Sequence, residues 1–475
     1  MSSLTPRFST YLVGGLFAQG VMFLTWFTLS WLLTPDEFGL LSLILFAVEL
    51  LSILSSMGMD AALIRFGSSN KDSANVFSIA LKIILGSFSL TVFSAYLLLQ
   101  MNSSLSNNHA VVWIAENFLL LTVAIAANVC WNIYQSFQIA GRRARPYAVT
   151  QVTRSLVNFC LCVCLVLIKP VAGSVIAATA ITSILILVVL LNCNISKYNI
   201  QKYNSSKLSQ KTMFSYGFPL MLYGLFGLAT IYTQRLALDQ YSNVAILGVF
   251  SFFHVITLQF NGLWGSLNKS WTPEFFFLME GQRSDALAIL QGILVIVSVI
   301  CPLVLAIYVI LGEIFLNSLI FSDVYRHQSQ VFYILLVSTI FTGLYTVAYP
   351  LYYVDHQTKR ILLIAVCLYL CNLVLSVLMI SRWGAMGAAT SVLLMTIITL
   401  WGYLLVYRDW ADVGYRTATM LVFVTLGCFG SALVLILSSS SLFFACSLIG
   451  TSGVAWILGA PMARPILLRV GLLPV

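Results

Sequence analysis

About fourteen apolar stretches, each long enough to cross a bilayer, follow one another along the whole chain. A hydrocarbon core about 30 Å thick takes about 20 apolar residues per helical span. A backbone in lipid must satisfy its own hydrogen bonds, so only helices or a closed barrel qualify. The alternating strands of about ten residues that build a barrel are absent. Composition agrees: 60% of residues are hydrophobic, 8% are charged and mean hydropathy is +0.97. A soluble domain carries about 25% charge. The expected fold is therefore all-α and polytopic.

The spans fall near 8–33, 38–65, 73–100, 111–139, 146–168 and 171–193 in the first half. They continue at 214–238, 244–270, 286–311, 330–354, 360–381 and 385–407, with two more at 416–437 and 441–460. With the N-terminus in the cytoplasm, 18 of the 24 Lys and Arg fall at cytoplasmic ends and loops. Only Lys169, Arg326 and Arg382 face the other side, while Lys82, Arg154 and Arg235 lie inside spans. This asymmetry is the positive-inside pattern, and it puts both termini in the cytoplasm. The net charge of +9 is then a topology signal facing anionic headgroups, and no nucleic-acid partner is needed. The first apolar stretch is too long for a signal-peptide core, so no cleavable leader is expected. The ten Cys sit in or beside spans and read as buried free thiols. The four His show no ligand spacing, so neither a metal nor another cofactor is expected.

The two halves are weakly similar. "DEFGLLSLI" at 36–44 matches "AILGVFSFF" at 245–253, with Gly39 and Gly248 offset by 209. "GSVIAAT" at 173–179 matches "GAMGAAT" at 384–390, offset by 211. Two nearly equal offsets, far apart in the chain, indicate a six-helix unit used twice in parallel. The expected organisation is an N-lobe at 1–196, a polar cytoplasmic linker at 197–213 and a C-lobe at 214–410. A C-terminal helix pair with its tail follows at 411–475. Parallel repeats around a central cavity are a transporter architecture.

Three segments carry a family resemblance: "LLTPDEFGLLSLILFAVELLSILSSMGMDAALIRF" (32–66), "YGFPLMLYGLFGLATIYTQRLALDQYSNVAILGVFS" (216–251) and "AYPLYYVDHQTKRILLIAVCLYLCNLVLSVLMISRWGAMGAATSVLL" (348–394). They resemble polysaccharide exporters of the multidrug/oligosaccharidyl-lipid/polysaccharide (MOP) superfamily, most closely the Wzx-type O-antigen flippases. The resemblance implies a bacterial inner-membrane protein that moves undecaprenyl-pyrophosphate-linked oligosaccharide from the inner to the outer leaflet. It also implies H+ or Na+ as a coupling ion and, as neighbours, a glycan polymerase and a chain-length regulator. The chain departs from the family at Gln234, where an acidic residue often precedes the Arg of span seven; the nearby acid here is Asp239.

Flipping takes a sugar and a pyrophosphate through hydrocarbon, which calls for a polar cavity with fixed positive charge. Charges inside spans are costly and are functional candidates by default. Arg154 and Lys82 stand at mid-depth, Arg235 stands near the outer end of span seven, and Arg65 stands at the inner end of span two. These four are the candidate pyrophosphate ligands, Arg being suited by its bidentate fork. Pairing with Asp239 is the structural alternative for Arg235. For Arg65 the alternatives are a cytoplasmic anchor or a partner of Asp60. Glu49, at mid-depth in span two, is either a static partner of Lys82 or a titrating ion-coupling group. His254 is either a proton site or a hydrogen-bonded core residue, and Asp60 and Asp239 complete the ion-coupling candidates. Tyr223, Tyr232, Gln234, Gln259 and Asn261 are candidates for a sugar path, because aromatic faces stack on sugar rings and amides bond hydroxyls. Pro219, with Gly217 and Gly224, makes span seven bendable and marks it as a gate.

Two other functions compete. A multidrug or cation antiporter of the same fold needs an acidic site, whereas the deep charges here are mostly basic. A membrane-embedded glycan polymerase or ligase needs an outer catalytic face, and the longest outer loop, near 312–329, is short. No phosphate-binding Gly loop appears, so the chain reads as a transporter and not an enzyme. Single cysteines at Ser205 and Ser329 in a cysteine-free background test the topology. A membrane-impermeant maleimide should label position 329 in intact spheroplasts, and position 205 only after the membrane is opened. The reverse pattern contradicts the assigned orientation.

Overall fold

The computed structural model describes residues 5–69, 73–103, 109–141, 143–194, 210–281, 283–317, 328–348, 358–406, 415–438 and 441–469. The polar linker at 197–209 and most of the outer loop, 318–327, lie outside the described residues. Fifteen helices account for nearly everything described, with no strand among the described residues. In chain order they are α1 (Thr5–Leu32), α2 (Pro35–Ser56), α3 (Met59–Ser69), α4 (Ser73–Ser103), α5 (His109–Glu116), α6 (Phe118–Ala140), α7 (Ala144–Ile168) and α8 (Ala172–Asn194). There follow α9 (Gln210–Tyr241), α10 (Val244–Gly281), α11 (Arg283–Asn317), α12 (Ser329–Ala348), α13 (Thr358–Val406), α14 (Tyr415–Ser438) and α15 (Ser441–Arg469).

Among the described residues, twelve helices are long and apolar enough to cross a membrane. One of them, Leu362–Leu404, is 43 residues long, about twice what a bilayer needs at 1.5 Å per residue. Gly384, with φ 53° and ψ −128°, breaks it into two spans. A shorter apolar helix at Ala172–Val188 supplies the remaining span, so each of the fourteen expected segments is helical over its described residues, apart from the breaks below. The protein is a multi-pass membrane protein.

Two breaks refine the sequence expectation. The span expected at 38–65 is α2 followed by α3, because Met57 (φ 49°) and Gly58 (φ 69°) take left-handed backbone between them. At the other end of α2 the Thr34 hydroxyl accepts a hydrogen bond from the Glu37 amide at 3.3 Å, with Pro35 opening the helix. The span expected at 111–139 is likewise split at Asn117 into α5 and α6.

The chain divides into two compact units, Met1–Leu236 and Ala237–Val475. In the first, α1 packs on α7 through Gly14, where an added Cβ would meet the Ala148 Cβ at 2.5 Å. Small residues permit such close crossings in lipid, where packing replaces the hydrophobic effect. Helix α6 touches α2, α3, α7 and α8. In the second unit, α12 is buried along nearly its whole length between α10, α11, α13 and α14, matching its lack of a polar face. The C-terminal pair, α14 and α15, is packed against α11: the Ser452 hydroxyl donates to the Val299 carbonyl at 2.7 Å.

Within the first unit, α9 runs antiparallel along α2 and α3. At the break between those helices, an added Cβ on Gly58 would strike the Gly217 carbonyl, and one on Gly217 would reach the Met57 carbonyl at 2.8 Å. Higher up, Gly224 faces Ile53, with 3.7 Å between its ideal Cβ position and that side chain. Higher again, Phe46 packs on Tyr232 at 4.7 Å between ring centroids. Of the glycines expected to bend α9, Gly217 is thus where backbones meet and Gly224 faces a side chain, and α9 is continuous through Pro219. Replacing Gly58 with Ala adds a clash to an already left-handed residue. We expect a loss of stability of about 1–3 kcal/mol, read as a lower melting temperature in detergent. An unchanged melting temperature would contradict the close approach.

Candidate functional site

Apolar helices dominate the first unit, so its inward-facing polar residues stand out. Arg235, on α9, has only 1% of its surface exposed. Its guanidinium lies over the Tyr232 ring at 4.3 Å and hydrogen-bonds that residue's side chain. The Tyr232 side chain also hydrogen-bonds Glu49 on α2, and Arg235 is the charge that acts on the Glu49 carboxylate. Tyr232 is buried, whereas Glu49 is exposed as a residue. Burying a lone guanidinium costs several kcal/mol after relaxation; the carboxylate and the phenol ring offset part of that. The Nε and Nη2 atoms of Arg235 are buried with no hydrogen-bond partner among the described residues. Those two nitrogens form one edge of the fork, the edge that grips carboxylate or phosphate in bidentate fashion.

A second cation stands on the far side of the same unit. Arg154, half-buried on α7, lies over the Trp131 ring of α6 at 4.5 Å and donates from Nη2 to the Ser183 hydroxyl of α8 at 3.2 Å. Next to it Thr182 donates to the Asn158 amide oxygen at 3.5 Å. The two cations are joined through α2 and α6. Ser52 is three residues from Glu49, hence its neighbour on α2, and accepts from the Asn128 amide at 3.3 Å. Asn128 is three residues from Trp131. A polar line therefore runs from Arg235 through Tyr232, Glu49, Ser52, Asn128 and Trp131 to Arg154 and Ser183. At 1.5 Å per residue, Arg154 lies about 15 Å along α7 and Asn128 about 15 Å along α6, so the line crosses the unit near mid-depth.

The remaining candidates fall elsewhere. Lys82 is exposed on α4, a helical half-turn from its buried Ala80 and Ile84, and shares its side with exposed Leu85 and Phe93. Glu49 thus has Tyr232 and Arg235 acting on it, while Lys82 stands on an exposed face of α4. Arg65 is exposed at the end of α3 and lies over the Tyr216 ring at 4.9 Å. Asp60, in the first turn of α3, accepts from the Ala61 backbone amide, where the helix dipole favours a carboxylate. On α9, Tyr223 is half-buried and Gln234 buried.

The second unit holds Asp239, half-buried near the end of α9, and three candidates on α10. There His254 is buried 5.3 Å from the Phe250 ring, Gln259 donates to the Val255 carbonyl at 3.3 Å, and the Asn261 amide oxygen is buried.

Sequence reasoning missed Asn128, Trp131, Gln135 and Gln138. Their spacing of three, four and three residues puts them on one stripe of α6. A search of each span for polar residues at helical spacing would have found them. The coupling of Glu49 with Arg235 is testable by a double-mutant cycle. Glu49→Gln and Arg235→Gln should each lower the melting temperature, and the double variant should lose less than the sum. The expected interaction energy is about 0.5–3 kcal/mol; strict additivity would contradict the electrostatic coupling.

The family model described as polysaccharide biosynthesis protein matches residues 6–279, more than half of the chain. No curated protein matches the sequence. Among solved structures, the lipid II flippase MurJ in an inward closed conformation superposes with a TM-score of 0.66 at 15% identity, covering 98% of this chain and 100% of that one. An inward-facing multidrug-resistance MATE family transporter of the MOP superfamily gives 0.64 at 14% identity, covering 84% and 94%. A point mutant of the Vibrio cholerae MATE transporter VcmN gives 0.62 at 16% identity, covering 87% and 98%. These likenesses bear on the fold, which is that of MOP-type transporters, and the family match identifies the sequence: the chain belongs to the polysaccharide biosynthesis protein family.

Proposed function

We propose that the protein is a flippase for an undecaprenyl-pyrophosphate-linked oligosaccharide, an O-antigen or similar surface-glycan repeat unit. It works in the bacterial inner membrane, with both termini in the cytoplasm. The observation that carries this reading is the polar line with an arginine at each end, set inside the apolar first unit of a polysaccharide-biosynthesis family member. The cargo's lipid tail stays in the bilayer, so only its sugars and pyrophosphate need a polar path. Arg235 and Arg154 are the pyrophosphate ligands. Arg235 offers the Nε–Nη2 edge of its fork, which a phosphate can take in bidentate fashion.

Arg235 is shielded, and its neighbour Glu49 is an exposed residue. Alternating access requires α9 to shift against α2 and α3. The Gly58–Gly217 and Ile53–Gly224 contacts, with Pro219 between the two glycines of α9, are where that shift takes place. A phosphate arriving at Arg235 competes with Glu49 for its charge, and an ion gradient acting on Glu49 would drive the exchange. A glycan polymerase and a chain-length regulator are the natural partners downstream.

A MATE-like antiporter is the second reading, because two of the superposed structures are MATE transporters. Cationic cargo fits poorly beside two arginines with a single nearby carboxylate, since like charges repel strongly where water is scarce.

The test is complementation. The chain and its Arg154→Ala and Arg235→Ala variants are expressed in bacteria lacking their own flippase, each supplied with one of a panel of glycan clusters. Wild type should restore surface glycan with at least one cluster. The variants, at equal abundance, should reduce export at least tenfold and leave lipid-linked intermediate on the cytoplasmic leaflet. Failure of wild type with every cluster would move the antiporter reading forward. Equal export by all three would leave the arginines without a transport role.

A further inference from the structure

The α6 stripe continues past the polar line. Gln135 is 8% exposed and Gln138 2%, yet each has an amide atom without a hydrogen-bond partner. Gln135 has both its Nε2 and Oε1 buried with no hydrogen-bond partner among the described residues, and Gln138 has its Oε1 so. A buried amide without a partner is destabilising, and native structures keep few of them. The fold does not require amides here. The repeat offset of about 210 residues places α6 opposite α12, where the stripe of Asn128, Trp131, Gln135 and Gln138 becomes Ser338, Phe341, Tyr345 and Ala348. Neither glutamine has an amide counterpart.

The position is equally specific. Trp131 carries the Arg154 guanidinium. Gln135 and Gln138 follow four and seven residues later, about 6 Å and 10 Å further along α6, toward its cytoplasmic end in the assigned topology. A primary amide presents a donor and an acceptor side by side, which matches adjacent sugar hydroxyls or an N-acetyl group. A phosphate would use only the donor.

We propose that Gln135 and Gln138 form the subsite for the sugar next to the pyrophosphate, with Arg154 holding the phosphate above them. This rests on the flippase reading and adds to it a place where the glycan itself is recognised.

The amides can be removed without changing shape much, by Gln135→Met and Gln138→Met. Three quantities are read: melting temperature in detergent, binding of sugar-free undecaprenyl pyrophosphate by native mass spectrometry, and export with the glycan cluster that wild type exports. The proposal expects a melting temperature at or above wild type, because an orphaned amide has gone. It expects binding of the sugar-free lipid within twofold of wild type and export reduced at least tenfold. Unchanged export would overturn the subsite and assign the amides to bound water. Loss of sugar-free lipid binding, or loss of folded protein in both variants, would overturn it in favour of a phosphate or structural role. If wild type exports no glycan, the flippase reading itself has failed, an outcome separate from all of these.

Discussion

Everything specific about this protein depends on how it keeps guanidinium groups inside a helical unit built for lipid. Water is scarce there, so each cation must find its compensation among neighbouring side chains. Arg235 finds a carboxylate across the α2–α9 contact and a phenol ring on its own helix, and Arg154 finds an indole and a serine hydroxyl across α6 and α8. The compensation is partial: one edge of the Arg235 fork is left without a protein partner among the described residues. That incompleteness turns a costly buried charge into a potential binding group for an anion.

The backbone arrangement makes the charge arrangement possible. Gly58 and Gly217 bring the α2–α3 break against α9, Gly224 admits Ile53, and these contacts set the register that leaves Tyr232 beside Phe46 and Glu49. A side chain at either close glycine would push α9 away and separate Arg235 from its carboxylate. Glycine here serves close approach, and the same contact is the natural place for motion, because it is held by few side chains.

Much of the fold was legible in the sequence, since hydrophobic length and the repeat offset are local or nearly so. What escaped was the break at Met57–Gly58 and the one at Asn117, where a few polar residues and a glycine interrupt an apolar run too briefly for average hydropathy to end the span. Arg154 and Arg235 were legible as cations inside spans because charge there is rare. Their partners were not, because Glu49 and Arg235 are brought together by helix packing across most of the first unit's length. Lys82 shows the same limit from the other side: depth along a span says nothing about which face a residue occupies, and Lys82 is exposed while Ala80 and Ile84 are buried. The α6 stripe was available from helical spacing, but amides are uncharged and drew no notice.

The central claim is that the first unit holds an anionic lipid head through two arginines. The most direct measurement is native mass spectrometry of the purified protein titrated with undecaprenyl pyrophosphate, comparing wild type with the Arg154→Gln/Arg235→Gln double variant. The account predicts saturable binding to wild type, weakened at least a hundredfold in the double variant while the uncharged lipid undecaprenol binds both alike. Equal affinity of the two proteins for the pyrophosphate would contradict it.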